Sequence, residues 1–417
     1  MKRLILIVLV IIVLAAGYLW WQSATEPPAA AAGASLLPLL SEEDTAGFAR
    51  ATEPGAIEFP RDLGPHNDYQ TEWWYYTGNL ETADGRPFGY QLTFFRRALT
   101  PDSEQSAVSS EQLAVNSKLS AEGSDASIQP SAFNLQPSDS SWRANQVYLA
   151  HFTISDIVEE AFYPAERFSR GVAGLAGAQA DPYRVWLEDW SAEAVAPGVV
   201  RLQARTDEVA LDLTLTQSLP PVLHGDEGLS LKGPEPGNAS YYYSIVQQET
   251  AGAVTVDGRR YEVTGLSWKD HEYSTSALSP GAIGWDWFSL QLDSGAALMF
   301  FQIRRQDGTL ESFSSGSFIT PDGEVRPLGL DEWQLEVTDT WTSPTSGAEY
   351  PAGWRIRLPS LDLELTGRPQ MANQELNVST VYWEGAVSFS GTIGGQPVSA
   401  RGYIEMTGYF EAMEGRL

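Results

Sequence analysis

Val209-Ala210-Leu211-Asp212-Leu213-Thr214-Leu215-Thr216-Gln217 alternates apolar and polar side chains. A strand turns successive side chains to opposite faces, so this period of two predicts a half-buried β-strand. Trp354-Arg355-Ile356-Arg357-Leu358 alternates in the same way. Between such runs stand Asp84-Gly85, Asp257-Gly258, Asp307-Gly308 and Asp322-Gly323. Asp-Gly is a strong hairpin signal, because both residues tolerate the positive φ that tight turns demand. After residue 55 no segment sustains the 3.6-residue apolar period of a long amphipathic helix. The expected fold class is all-β.

The chain also repeats itself. Trp74-Tyr75-Tyr76, a turn at Asp84-Gly85 and Phe94-Phe95-Arg96-Arg97 return as Trp287-Phe288-Ser289, Asp293-Ser294-Gly295 and Phe300-Phe301-Gln302-Ile303-Arg304-Arg305. Tyr241-Tyr242-Tyr243 followed by Gly265-Leu266-Ser267-Trp268-Lys269-Asp270 returns as Tyr382-Trp383-Glu384-Gly385 followed by Arg401-Gly402-Tyr403-Ile404-Glu405. Two motif pairs in one order indicate duplication. The reading places Trp74 level with Trp287, Trp268 with Tyr403, and Asp270 with Glu405. Each half holds enough hairpins for one closed antiparallel β-barrel, which removes exposed sheet edges. The expected tandem barrels span 56–275 and 280–417, with a polar Ser-, Gln- and Asp-rich insertion at 101–141 in the first.

The amino terminus reads as an address. Lys2 and Arg3 precede an uncharged apolar run, Leu4 to Trp21, long enough as a helix to reach about 27 Å. This apolar helix is a signal-anchor or a cleaved signal peptide, and residues 22–55, rich in Ala and Pro, form a linker. The body is then expected outside the cytoplasm, periplasmic or at the cell surface, held to the membrane by residues 4–21 or secreted. With 26 Lys+Arg against 54 Asp+Glu, the net charge of −28 excludes a basic nucleic-acid-binding face. The absence of cysteine removes disulfides, thiolate metal sites and cysteine nucleophiles, and four histidines leave little for a His-rich metal centre.

Four blocks carry a family resemblance: Pro65-His66-Asn67-Asp68-Tyr69-Gln70-Thr71-Glu72-Trp73-Trp74-Tyr75-Tyr76-Thr77-Gly78-Asn79-Leu80, Trp268-Lys269-Asp270-His271-Glu272, Gly284-Trp285-Asp286-Trp287-Phe288, and Gly402-Tyr403-Ile404-Glu405-Met406-Thr407-Gly408-Tyr409. In that order they resemble the signatures of the carotenoid 1,2-hydratase/AttH-like family, over roughly residues 58–412. The resemblance implies two lipocalin-like barrels side by side, apolar or isoprenoid-like ligands, and in some members cofactor-free hydration of an isolated alkene. Fungal relatives imply a hydratase of a prenylated phytoalexin and pericyclic cyclases. Family members are also associated with ABC-type permeases. The hydratases carry an aromatic-x-Asp where this chain has Trp268 and Asp270, and a His-x-Trp near its Tyr241-Tyr242-Tyr243.

Adding water to an unactivated alkene needs a carboxyl kept protonated by apolar walls, and aromatic faces to steady the cation. Asp270 is the candidate acid. Trp268 and Asp270 share a strand face, as do Tyr241 and Tyr243, which suggests a pocket in the first barrel near its junction with the second. Trp268, Trp73, Tyr241 and Tyr243 would wall it, with Asp270 as the only acid facing it and Tyr241 and Tyr243 as the catalytic tyrosines that orient water. The structural alternative is a buried acid closing a turn between the barrels. His66, Glu72, His271 and Glu272 form a second set, read as hydrogen-bonded at the barrel junction, with the segment 66–72 a lid over one barrel mouth and His66, Glu72 and His271 meeting the ligand; no metal or cofactor is expected. No Gly-x-Ser-x-Gly elbow, P-loop, dinucleotide fingerprint or His-Glu-x-x-His is present. Three readings stand: a hydratase or cyclase working through Asp270, a non-catalytic lipid carrier, and an envelope accessory protein of an ABC-type transporter.

Overall fold

The computed structural model describes residues 45–101, 145–275 and 278–413. The apolar run 4–21, most of the linker 22–55 and nearly all of the insertion 101–141 lie outside them. Among the described residues there are strands and three 3-10 turns, and no helix is long and apolar enough to cross a membrane.

The first sheet opens with β1 (Thr71–Glu81), β2 (Pro87–Ala98), β3 (Gln146–Asp156) and β4 (Ala161–Arg170). It continues with β5 (Ala176–Ala180), β6 (Tyr183–Leu187), β7 (Trp190–Ala196), β8 (Val199–Arg205) and β9 (Val209–Gln217). Short β10 (Val222–Leu223) and β11 (Leu229–Leu231) precede the long hairpin β12 (Ala239–Val256) and β13 (Arg259–Ser274). The second sheet holds β14 (Ala282–Leu292), β15 (Ala297–Arg305), β16 (Ser315–Ile319), β17 (Val325–Gly329) and β18 (Gln334–Thr342). Its remaining strands are β19 (Glu349–Leu358), β20 (Leu363–Pro369), β21 (Glu375–Asn377), β22 (Val381–Ile393) and β23 (Gln396–Met406).

The duplication is written in the topology. The order β4-β3-β2-β1-β13-β12-β9-β8-β7 returns as β17-β16-β15-β14-β23-β22-β20-β19-β18. The central hairpins correspond as well. Val256 pairs with Arg259 around Asp257-Gly258, and Ile393 with Gln396 around Gly394-Gly395. All four turn residues have positive φ, as a two-residue type I′ hairpin requires. Asp270 lies opposite Tyr75 and Ser244, while Glu405 lies opposite Trp287 and Glu384. The register therefore matches Trp287 with Tyr75, one residue beyond the expected Trp74. Trp74 points into the first sheet's core, where its indole donates to the Leu63 carbonyl.

The sheets differ in closure. The first curls until β6 lies against β2, β3 and β4, a nearly closed lipocalin-like barrel. Its core joins Trp74, Tyr76, Phe94 and Phe152 to Val185, Trp190 and Leu213. The second half, expected as a closed barrel, is a half-barrel, because its path has no counterpart of β5 and β6 to fold back across it. Its core gathers Phe288, Phe300, Trp354, Trp383 and Phe389.

The sheets meet back to back. Tyr75, Tyr242 and Trp268 of the first form one apolar cluster with Trp287, Phe301, Ala386 and Tyr403 of the second. Polar ties cross the seam: the Asn79 amide donates to Gly402 O (3.0 Å), and His151 Nδ1 lies 2.7 Å from Tyr382 Oη. Gly89 permits this approach, since a Cβ there would stand 2.8 Å from Tyr403 Oη and 2.9 Å from the Ala386 Cβ.

Candidate active site

Strand β13 presents two chemistries, one on each face. Alternation sends Trp268, Asp270 and Glu272 outward to the seam, and Lys269, His271 and Tyr273 into the first barrel. Directly opposed residues of an antiparallel pair share a face. Ser244 opposes Asp270 and Tyr242 opposes Glu272, so Ser244 and Tyr242 face the seam. Tyr241 and Tyr243 therefore point away from Asp270, against the sequence expectation. Tyr241 donates to Glu53 O (2.9 Å) and Tyr243 to Asp62 O (3.0 Å). The candidate site accordingly lies between the sheets and not in the first barrel's lumen.

Asp270 is buried and held by three side-chain donors. Trp268 Nε1 (2.6 Å) and Ser244 Oγ donate to its Oδ1, and Tyr242 Oη (2.6 Å) to its Oδ2. Tyr242 Oη accepts in turn from Trp287 Nε1 of the second sheet (2.9 Å). His224 Nε2 lies 2.7 Å from Ser244 Oγ, and its Nδ1 3.0 Å from Ser317 Oγ across the seam. Because Ser244 spends its proton on Asp270, His224 Nε2 carries the hydrogen of that contact. Burial pushes the Asp270 carboxyl up to about 7, against the opposing pull of Ser244, Tyr242 and Trp268. Burial, then the Lys232 charge, lowers His224 to about 3, so its imidazole is neutral.

Asp270 is not the only acid facing the seam. Glu272 accepts from Ser240 and pairs with Lys232 Nζ at 3.0 Å. The same ammonium sits 4.1 Å above the Phe301 ring. Glu384 and Glu405 oppose each other on β22 and β23. Trp73 packs at the edge of the seam cluster and keeps partial exposure, as do Trp285 and Glu405.

The second set, expected at the junction of the barrels, lies mostly on the inner face of β13, because strand alternation turns His271 and Glu72 away from the seam. Glu72 Oε1 lies 2.8 Å from both His66 Nδ1 and His271 Nε2, and its Oε2 accepts from Arg96 Nε at 2.9 Å. His66 Nε2 also reaches Asp62 Oδ1 (3.1 Å), and His271 Nδ1 reaches Tyr243 Oη (2.8 Å). Burial alone would raise the Glu72 carboxyl, but Arg96, His271 and His66 outweigh it and hold it well below the usual range. His66, Glu72 and His271 have the ligand types of a metal site. The guanidinium already neutralises Glu72, so the cluster is complete as a hydrogen-bonded ion pair. Glu272, expected with this set, is on the opposite face.

Of the expected pocket residues, the structure brings Asp270, Trp268 and Trp73 to one face and removes Tyr241 and Tyr243 from it. It adds Tyr242, Ser244, His224 and, from the second sheet, Trp287, Glu384 and Glu405. His224, in Pro220-Pro221-Val222-Leu223-His224, belongs to no motif and meets Ser244 only through the pairing of β10 with β12. It brings an imidazole to the site although the 241–243 run has none.

Comparison with known proteins points the same way. The AttH-like family profile matches residues 50–409. The chain is 25% identical over 220 residues to kievitone hydratase of Fusarium solani, covering 49% of this chain and 59% of that protein. It is 21% identical over 221 residues to the dehydratase asqC of Emericella nidulans, covering 52% and 58%. The chain thus spans about three-fifths of the length of these curated relatives. Among solved structures, an AttH-like protein from Nitrosomonas europaea matches with a TM-score of 0.70 and 33% identity, over 87% of this chain and all of that one. Kievitone hydratase from Nectria haematococca shares the fold, with a TM-score of 0.59, 14% identity, and 88% and 97% coverage.

Proposed function

Because the chain belongs to the AttH-like family, with a hydratase and a dehydratase among its relatives, we propose that it is a cofactor-free hydratase or dehydratase. It adds water to, or removes it from, an apolar isoprenoid-like substrate at the seam between its sheets. The observation that carries this reading is Asp270, a buried carboxyl balanced near neutrality and surrounded by Trp268, Tyr242 and Trp287. At neutral pH such a group exists in both forms and can exchange a proton with substrate or water. The indole and phenol faces are suited to steady a tertiary cation. Export by residues 4–21 and action outside the cytoplasm, at the membrane or beside a transporter, belong to the same proposal.

The test is incubation of the full chain with kievitone, a prenylated phenol, in heavy-oxygen water. The expected result is a mass gain of one labelled water at the prenyl alkene, absent with Asp270→Asn. Equal turnover by the variant removes the reading. One observation favours a carrier instead: both Asp270 oxygens already have donors, as a purely structural acid would. A carrier would retain the probe unchanged, with equal affinity in wild type and Asp270→Asn.

A further inference from the structure

The duplicated fold puts a second pair of side chains where the first half has Ser244 and Asp270: Glu384 on β22 and Glu405 on β23. Directly opposed residues carry their Cβ atoms about 5 Å apart. Two carboxylates at that spacing repel, and burial penalises both. Asp270 has three donors, whereas neither Glu384 oxygen has a hydrogen-bond partner, although the residue is only 1% exposed. Neither glutamate is in an ion pair among the described residues. Tyr75, 6% exposed and with its hydroxyl also unpartnered, faces Glu384, Glu405 and Asp270 from β1. The other groups facing the pair are Tyr382 and Tyr403 from its own strands, Trp285 from β14, and Asp270 and Glu272 from β13. None is a cation. Burial, then the Glu405 charge, raises Glu384 well above the usual range. Burial, opposed by Trp285, pushes Glu405 up to about 8.

We propose that Glu405, backed by Glu384, is the proton donor of this site and that Asp270 is its proton acceptor. This rests on the hydratase reading above and divides its labour. Environments that favour opposite protonation states mark the acid and the base. Three donors support the carboxylate at Asp270, while Glu384 has none within hydrogen-bond geometry and burial outweighs the pull of Trp285 at Glu405. In hydration, Glu405 gives its proton to one alkene carbon, whose new C–H bond takes the π electrons. Water oxygen bonds to the cationic carbon left behind, and the proton that water sheds passes to the Asp270 carboxylate. Glu405 ends one proton short and Asp270 one proton richer; Tyr75, between them, is placed to return it. Glu405 is the catalytic residue, being the partly exposed member, and Glu384 is a positioning residue, a buried carboxyl opposed to it on the neighbouring strand.

The experiment uses the full chain and two readouts. Infrared titration should show a protonated-carboxyl band at neutral pH that shrinks in both Glu405→Gln and Glu384→Gln. With the prenylated phenol as probe, Glu405→Gln should lower kcat by at least about 100-fold with KM within about threefold. Glu272→Gln should move the alkaline limb of the kcat profile to lower pH, because it removes a like charge that raises the Glu405 carboxyl. The isosteric glutamines delete no packing, and Glu384→Ser, which copies Ser244, is the second variant should a glutamine fail to fold. A band unchanged in both Glu405→Gln and Glu384→Gln overturns the inference. So does Glu405→Gln turning over at the wild-type rate while Asp270→Asn is inert. A normal band without wild-type turnover removes the hydratase reading instead, and the acid role with it.

Discussion

The two faces of β13 treat charge in opposite ways. Inside the barrel, His271 and the neighbouring Glu72 belong to a network in which each acid oxygen is matched by Arg96 or an imidazole. At the seam, Asp270 receives only neutral donors, and Glu384 receives none. A matched ion pair holds its proton state firmly and suits a scaffold. A carboxyl supported only by neutral dipoles sits close to its titration point and suits proton exchange. One strand thus carries a fastening on one side and a reactive group on the other, one residue apart.

The largest effect should come from breaking the fastening. Glu72→Gln leaves the Arg96 guanidinium buried without its counter-charge, since both side chains are fully enclosed. A loss of about 3–5 kcal/mol in guanidinium unfolding is expected. Glu72 has a depressed folded pKa, so its contribution is complete above the unfolded value of 4.5 and fades as pH falls below it. The variant should lack that acid-side loss. A loss below 1 kcal/mol would mean that the inner network is not what holds this end of the barrel.

The seam should respond with the reverse signature. Asp270→Asn should cost at least about 100-fold in turnover, close to 2.7 kcal/mol of barrier, while the protein stays folded. Its pH dependence has the opposite sign to that of Glu72. The folded carboxyl keeps its proton to about 7, whereas the unfolded one gives it up near 3.8. Between those values the folded state binds more protons, so this group makes wild type less stable as pH rises. The stability of Asp270→Asn relative to wild type should therefore climb from pH 4 to 7 and level off above. A flat difference would show that Asp270 ionises normally and is no proton-exchanging group.

A smaller effect tests the seam itself. Gly89→Ala places a Cβ against Tyr403 Oη and the Ala386 Cβ, so the two sheets must separate slightly. Overpacking of this kind costs about 1–3 kcal/mol. Turnover should fall with it, because Trp287 would lose its reach to Tyr242. The same substitution at Gly85, where nothing lies within 4 Å, measures the loss from backbone strain alone.

What the sequence disclosed follows from periodicity. The alternation of 209–217 and the two-residue turns announce the strands and the repeat, since a hairpin turn of Asp257-Gly258 fixes its own register. Parity across β12 was not legible. Three consecutive tyrosines have no polar-apolar rhythm, and the register shift between Ile245 and Gln248 breaks the count from the alternating part of the hairpin. The site residues brought by the second half were hidden for another reason. The repeat puts Glu405 level with Asp270, but only the back-to-back packing of the sheets puts both on one seam.

Strand parity supplies the finest test, because Tyr242 and Tyr243 are adjacent and point to opposite faces. Tyr242→Phe removes one of three donors to Asp270 and the acceptor for Trp287 Nε1. A lost donor no longer opposes burial, so the Asp270 pKa should rise above its value of about 7. A hydrogen bond to a charged group contributes about 1.5–3 kcal/mol, so the shift should be about one to two pH units. If Asp270 acts as the carboxylate, the acid limb of the turnover profile moves upward by that amount. Tyr243→Phe removes the phenol that meets Asp62 O and His271 Nδ1 inside the barrel. It should cost about 1 kcal/mol of stability and leave the profile in place. Profiles that move together would mean that the two faces of the strand share one electrostatic site, and the separation of fastening from chemistry would fail.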